Sequence, residues 1–399
     1  MDSKRAPGSS RPRTGTRASA RRTEGQPGPA GDGRHVTGVA DLGDGDAAFL
    51  RRLANNYLPS RGDPLIPLPL VREWGLRDGT EVSGVLGDEE GRTPTLASIQ
   101  TAGSRALPAE HLIVPQFQDL VSINPHEMIC LGADASATSL RVIDLVAPVG
   151  RGQRGLIVSP PRAGKTTLLE QIGCAIIKHH SNTHLIMLLI DERPEEVTHF
   201  RRAVGGEVLA SSADSESDAH LRLAWIAVER AKRLAEAGRH VVILLDSLTR
   251  LGRASNREMG RGGRTMSGGV DSRALQFPRQ FFGAARCCEG AGSLTILATV
   301  LIDTASRMDE VIFQEFKGTG NMELLLDRDL AERRIFPAVD VLRSGTRREE
   351  LLCSADELRQ RHRLRRALAD LPLAEAARKL IALIEKTASN ADLLQMMSG

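Results

Sequence analysis

Residues 154–169 read RGLIVSPPRAGKTTLL, and the fold turns on how this stretch is read. Leu156-Ile157-Val158 is a short apolar run with strand character. It enters a Pro/Gly turn, which opens into a helix-compatible segment from Lys165. Strand, loop and helix in that order are the layout of a phosphate-binding loop. Lys165 is placed there to reach the β- and γ-phosphates, and Thr166 to hold Mg2+. Backbone N–H groups around Gly164 and the first turn of the helix would surround the anionic oxygens. The strict pattern has glycine where this chain has Ser159, so the loop needs support from what surrounds it.

That support lies downstream. Apolar runs at 156–158, 184–191, 240–246 and 293–303 alternate with amphipathic segments such as 219–237, where Leu223, Ile226 and Leu234 recur at helical spacing. Runs of continuous Val, Ile and Leu belong to strands buried on both faces, which predicts an α/β fold with a parallel sheet between helices. Ligands of such sheets sit beyond the carboxyl ends of the strands. The run 184–191 leads into Asp191-Glu192-Arg193, and Glu192 is our candidate to orient or deprotonate an attacking water. The run 240–246 ends in Asp246, placed for the Mg2+ shell, with Arg250 four residues on as a γ-phosphate contact. A single strand-end acid is commonly just a cap. Two of them after strongly apolar strands, downstream of Gly164-Lys165-Thr166, favour chemistry.

Composition narrows the class. A chain of 399 residues, 41% apolar and 26% charged, predicts a globular protein of two or three domains. No apolar run is long enough to span a membrane, and the basic N-terminus lacks the apolar stretch of a secretory signal. Cys130, Cys174, Cys287, Cys288 and Cys353 form no C-x-x-C pair, which speaks against a zinc site or a disulfide framework and for a cytoplasmic setting. The net charge of +3 identifies no partner.

Residues 1–35 carry eight basic and three acidic side chains and almost no aliphatic ones, which reads as a disordered basic tail. Such an arm either holds phosphates or is merely solvated. Residues 36–115 break into short β-like runs at 36–42, 47–53, 64–71, 80–86 and 93–100, separated by Gly- and Asp-rich turns. That spacing predicts a small antiparallel barrel, with the proline-rich run 64–71 at its edge or irregular. Residues 116–399 form the α/β domain, ending in two helices around Asp370-Leu371-Pro372. Two further loops, the Gly- and Arg-rich 256–271 and DTASRMDEV (303–311) with Arg307, are basic enough to follow a phosphodiester backbone. Arg347, in RSGTRREE (343–350), is a candidate arginine finger.

Together these stretches resemble the bacterial transcription termination factor Rho family. The resemblance runs from about Val36 to Met397 and is carried by LLIDERPEEVTHF, LDSLTRLGRASN, SGGVDSRAL, FFGAAR, LIDTASRMDEVIFQEFKGTGNMEL and ERRIFPAVDVLRSGTRREELL. It implies a RecA-type motor behind an OB/cold-shock-like barrel, forming a homo-hexameric ring with ATP between subunits and single-stranded RNA in the central hole. Such a protein is an RNA helicase that terminates transcription, with RNA polymerase as a partner. Gly150, Arg151, Gly152, Gln153, Arg154 and Gly155 would line the nucleotide, as would Arg162, Ala163, Gly164, Lys165, Thr166 and Thr167. The resemblance also puts Arg193 beside Glu192, makes Asp246 the Walker-B acid and brings Phe336 near the adenine. Arg347 would be donated from the adjacent subunit with Arg334 in support, and the loops 261–268, with Arg264 and Thr265, and 303–308, with Arg307, would meet RNA.

The N-terminal end departs from the family. Its RNA-facing strand usually reads G-[FY]-G-F-[LI]-R, and here the positions are Asp46-Ala47-Ala48-Phe49-Leu50-Arg51. Phe49 and Arg51 remain as RNA contacts, while other family aromatics fall on Leu65 and Thr93. Each stacked base is worth roughly 1–3 kcal/mol, so a weakened loading site is expected. Two rival readings follow. One is an RNA- or polymerase-binding ring with a weak primary site, recruited by its basic tail or by a protein. The other is a rotary ATP-synthase-type subunit, disfavoured by the absence of a GGxGxGKT loop.

Overall fold

The computed structural model describes residues 35–43, 47–87, 93–106, 108, 115–259, 269–271 and 273–397. The tail 1–34, Asp46 and the segment 260–268, with Arg264 and Thr265, lie outside the described residues. His35, read as the last residue of the tail, is instead the first residue of a strand.

Five strands build the N-terminal unit: β1 (His35–Asp41), β2 (Ala48–Arg51), β3 (Leu65–Ile66), β4 (Glu81–Leu86) and β5 (Leu96–Ala102). They pair in the order β3-β2-β1-β4-β5. The sheet closes on itself through a parallel bridge between Leu65 and Thr95, where Leu65 N–H donates to the Pro94 carbonyl at 2.7 Å. Val39-Ala40, Leu50, Ile66, Trp74, Val82 and Leu96 are buried inside or beneath it. The run 64–71 is only briefly a strand. Its prolines start α1 (Leu68–Trp74), because proline's fixed φ and missing N–H suit a helix's first turn. The helix stops at Gly75, φ 55°.

The α/β domain follows in chain order: β6 (Ser122–Ile123), α2 (Thr138–Val146), β7 (Arg154–Ser159), α3 (Lys165–His179), β8 (Thr183–Glu192), α4 (Pro194–Ala203), β9 (Glu207–Ser212), α5 (Ser217–Glu236) and β10 (His240–Asp246). Then come α6 (Leu248–Met259), α7 (Gln276–Gly283), β11 (Arg286–Cys288), β12 (Ser293–Leu301), α8 (Arg307–Lys317), β13 (Met322–Leu325), α9 (Arg328–Glu332) and β14 (Gly345–Thr346). Strands β13-β7-β12-β10-β8-β9 are parallel, with β14 antiparallel at one edge.

Successive side chains on a strand point to opposite faces, and here both faces are dry. Ile157, Met187, Leu189, Val242 and Leu244 enter one core with α2, α3 and the C-terminal helices. Leu156, Val158, Ile186, Leu188, Ile243 and Leu245 enter the other with α5 to α8. The C-terminus holds three helices rather than the two expected: α10 (Ala355–Ala369), α11 (Leu373–Glu385) and α12 (Asn390–Met396). The extra break is made by Ser389, whose side chain caps α12 by accepting from Asp392 N–H.

The barrel is seated on α5. Arg222 pairs with Asp41, Arg230 with Glu81 at 2.9 Å, and Glu236 with Arg77 at 2.6 Å, a ladder of ion pairs along one helix. Gly79 sits so close that a Cβ there would lie 2.3 Å from the backbone nitrogen of Arg230. Its φ of +83° already favours glycine.

Candidate nucleotide site

At the carboxyl end of β7 the chain leaves the sheet through Pro160–Ala163 and re-enters structure at α3. Arg162 (φ 66°) and Gly164 (φ 90°) are left-handed, which folds the loop over the first turn of the helix. Gly164 also occupies the N-cap position, so the first N–H groups of α3 face outward from a positive helix end. The ring of Phe336 lies 3.8 Å from the position a Cβ on Gly164 would take. A cavity of about 300 Å³ opens there, lined by Ala163, Gly164, Thr167, Leu168, Gln171 and Phe336 among others. Phe336 is half-exposed at this mouth.

Two and three strands away, β10 and β8 deliver the acids. Lys165 Nζ donates to both oxygens of Asp246 at 2.5 Å, and Thr299 on β12, the strand between, donates to the same carboxylate at 2.9 Å. Asp246 is fully buried. Arg250, on the first turn of α6, reaches Glu192 with Nη1–Oε2 at 3.1 Å. Glu192 is 1% exposed, and its Oε2 takes no hydrogen bond. Burial, then the nearby charge of Asp246, push its carboxyl up to about 7, with Arg250 and Lys165 opposing. Glu192 owes its aim to a bulge. Asp191 is the unpaired extra residue between Ile190 and Glu192, and it takes the left-handed conformation at φ 56°.

Lys165, Thr166, Glu192, Asp246 and Arg250 therefore come together at one end of the sheet. Arg193, at the N-cap of α4, is exposed beside them, and Arg334 is exposed in a left-handed turn two residues before Phe336.

Gly150, Arg151, Gly152, Gln153, Arg154 and Gly155 do not join this cluster. They lead into the opposite end of β7, which puts Arg154 ~16 Å from Ser159 at strand rise. Their contacts there are structural. Gly152 N–H donates to Thr295 at 2.8 Å, Gln153 Nε2 to Asn321 Oδ1 at 2.8 Å, and Arg151 pairs with Glu127 at 2.9 Å. Arg347 follows β14 at that same far end, exposed, its N–H donating to the Asn321 carbonyl at 2.9 Å.

Three expected RNA contacts lie elsewhere. Arg51 is 8% exposed, with Nε on Asp41 at 2.7 Å and Nη1 on Asp63 at 2.9 Å, so its guanidinium is spent inside the barrel. Phe49 is half-buried with Arg51 packed over its ring at 4.7 Å. Arg307 is the first residue of α8 rather than part of a loop. The turn before it is held by Asp309, which accepts from Thr304 at 2.6 Å and from Arg253 on α6 at 2.7 Å.

Thr299 is the site residue that sequence reading missed. Its signal was a hydroxyl inside a largely apolar run, shared with Thr295, where an unpaired polar group is costly. Among the described residues no cluster of three or more His, Cys, Asp or Glu side chains forms a metal cage. The Thr166 hydroxyl and the Asp246 and Glu192 carboxylates are nevertheless hard oxygen donors, the set that suits a partly hydrated Mg2+. No helix among the described residues is long and apolar enough to cross a membrane.

Residues 139–346 match the family model of the ATP synthase alpha/beta family, nucleotide-binding domain. Among curated proteins, the chain is 51% identical over 375 residues to transcription termination factor Rho of Micrococcus luteus, covering 91% of this chain and 54% of that protein. It is 48% identical to the Rho protein of Streptomyces coelicolor, covering 91% of this chain and 85% of that one. It is 45% identical to that of Aquifex aeolicus, again covering 91% and 85%. The chain spans about half the length of the first two relatives, from Micrococcus luteus and Streptomyces lividans, at 54% and 51%. Among solved structures, a type III secretion system ATPase from pathogenic bacteria superposes with a TM-score of 0.59 at 21% identity, over 78% of this chain and 93% of that one. The ATP synthase subunit NeqB from Nanoarcheaum equitans gives 0.57 at 18%, over 70% and 76%. Both share the fold.

Proposed function

Because this chain belongs to the transcription termination factor Rho family, we propose that it is an RNA-dependent ATPase and helicase that terminates transcription. The observation that carries the chemical part is the cluster of Lys165, Asp246, Glu192 and Arg250 at the carboxyl ends of β7, β10 and β8. ATP would lie over the first turn of α3, with its base against Phe336. Lys165 exchanges Asp246 for the β- and γ-phosphates. The carboxylate and Thr166 would then hold Mg2+, which would supply charge neutralisation at the phosphoryl group. Glu192, its carboxyl raised toward neutrality, accepts a proton from the attacking water. Arg250 holds Glu192 in place and meets developing negative charge.

Arg347 cannot reach Lys165 of its own chain, since it sits at the other end of the sheet. The reading therefore includes a homo-hexameric ring in which Arg347, with Arg334 in support, acts on the neighbouring subunit's nucleotide. Gly150–Gly155 would likewise face a neighbour's site. Arg264, Thr265 and Arg307 are the proposed channel contacts to single-stranded RNA, RNA polymerase is the proposed partner, and the cytoplasm the setting. Helix α6 supports coupling between RNA and chemistry, because it carries Arg250 on Glu192 and, one turn later, Arg253 on Asp309.

The second reading, a ring with a weak primary RNA site recruited by its tail or by a protein, is favoured by the burial of Arg51. Purified protein tested for assembly and for ATP turnover with and without single-stranded RNA decides between them. A six-membered ring whose turnover rises with RNA supports the motor. A ring that binds polymerase or RNA with flat turnover supports the alternative, and a monomer indifferent to RNA defeats both.

A further inference from the structure

We propose that the cavity at the seam between barrel and motor binds a compact, multiply charged phosphate anion, such as a polyphosphate or the polyphosphate end of a nucleotide. The cavity measures about 440 Å³. Four cations converge on it: Arg77 from the barrel, Lys232 and Arg233 from α5, and Arg286 from β11. Among the described residues two carboxylates pair with them, and Asp78 adds a further negative charge acting on Arg233. Glu229 pairs with Lys232 at 2.6 Å and with Arg233 at 3.8 Å, while Glu236 pairs with Arg233 at 2.8 Å and with Arg77 at 2.6 Å.

Arg286 is the unanswered charge. Among the described residues it has no ion-pair partner, and its guanidinium lies over the ring of Phe117 at 5.0 Å. Stacking of that kind covers the flat face and leaves the edge N–H groups, which suit bidentate contact with phosphate. On its other side Arg286 faces more positive charge. The Arg154 guanidinium is held below its ordinary value by burial and then by Arg286 and Arg347. Arg233 adds a buried Nε that no protein group satisfies. Converging cations, with Arg286 unpaired among the described residues, call for a multiply charged anion rather than a single carboxylate.

This cavity is not the nucleotide site. Arg286 pairs with Leu294 at the beginning of β12, seven residues or roughly 23 Å from Leu301, whose end of the strand faces the phosphate loop. A nucleic-acid strand is the weaker occupant. It brings one charge per residue along a track, whereas these cations converge on a point and Glu229 stands in the wall. A bound anion would tie Arg77 of the barrel to Lys232 and Arg286 of the motor, and so stabilise the seam through mass action.

The test uses the full chain carrying Lys165→Ala, which removes the main phosphate contact of the nucleotide site, with inorganic tripolyphosphate as the probe in calorimetric titration. One binding event per chain is expected. Arg286→Gln should weaken it about tenfold or more, the scale of one lost charge-assisted contact. Arg286→Lys should weaken it less, and Arg279→Gln, whose guanidinium pairs with Glu315 at 2.8 Å on α8, should leave it unchanged. The inference fails if Arg286→Gln leaves the affinity intact. It fails equally if tripolyphosphate does not bind, or if only single-stranded RNA binds in an Arg286-dependent way. Because this chain does not need to turn over ATP for the measurement, the result is independent of the proposed motor activity.

Discussion

The motor and the barrel both set arginines and lysines against carboxylates at strand ends, yet they use the pairs differently. In the motor, Lys165 and Arg250 hold Asp246 and Glu192 beside the first turn of α3, where under the proposed function a phosphate would compete for the cations. In the barrel, Arg51 is enclosed by Asp41 and Asp63, and Asp41 is claimed again by Arg222 of α5. An exchangeable pair is a binding site in waiting, and an over-satisfied buried pair is a piece of scaffold. The deciding quantity is the number of carboxylates within reach, not the identity of the cation.

The sharpest way to break this contrast is at the nucleotide site. Glu192→Gln or Lys165→Ala should lower ATP turnover by about 10²–10⁴-fold, since each removes a proton acceptor or a phosphate contact while circular dichroism stays unchanged. Turnover near wild type in either variant would mean the cluster is scaffold too. Next in size is Arg51→Ala. It takes one cation from each of two buried carboxylates, Asp41 keeping Arg222, and should cost about 3 kcal/mol of stability, read as a fall in the urea midpoint. An unchanged midpoint with a large loss of RNA affinity would return Arg51 to the RNA-binding role expected from sequence.

The pH response sharpens the comparison further. Glu192 ionises at about 7 in the fold against an ordinary 4.5, so ATP turnover should climb as pH rises through about 7. Stability runs the other way. The unfolded chain releases this proton first, so the raised carboxyl withdraws stability as pH increases from 4.5 to about 7. Arg250 opposes the shift, and Arg250→Gln should therefore move the rising limb of the pH–rate profile to higher pH. A limb that stays in place would show that Arg250 does not act on Glu192. The smallest effect is expected at Phe49. Its ring is already covered by Arg51, so Phe49→Ala should cost RNA binding no more than one stacked base, ~1–3 kcal/mol in a fluorescence titration. A larger loss would make the barrel the main loader after all.

The parallel sheet, its four main strands and the loop–helix at Lys165 could be read from sequence because they depend on contiguous patterns: apolar runs, a Gly/Pro turn, an acid at the end of a run. What could not be read depends on which end of a strand faces what. Gly150–Gly155 adjoin the phosphate loop in sequence but are separated from it by the length of β7. Arg51 looked free because its partners lie ten and twelve residues away, across two turns of a small barrel. The run 64–71, expected at the barrel's edge or irregular, is a two-residue edge strand whose following prolines start a helix that no contiguous pattern announced. Asp191 gave no sign that it would bulge, although that bulge is what aims Glu192.

Gly79 has one more consequence. A helix whose bare backbone is touched by a residue without a side chain leaves no gap to slide in, and the contact acts without regard to ionic strength. Salt that loosens the ion pairs around it would leave this steric key in place. A side chain added at position 79 should therefore prise the barrel from α5 at any salt concentration.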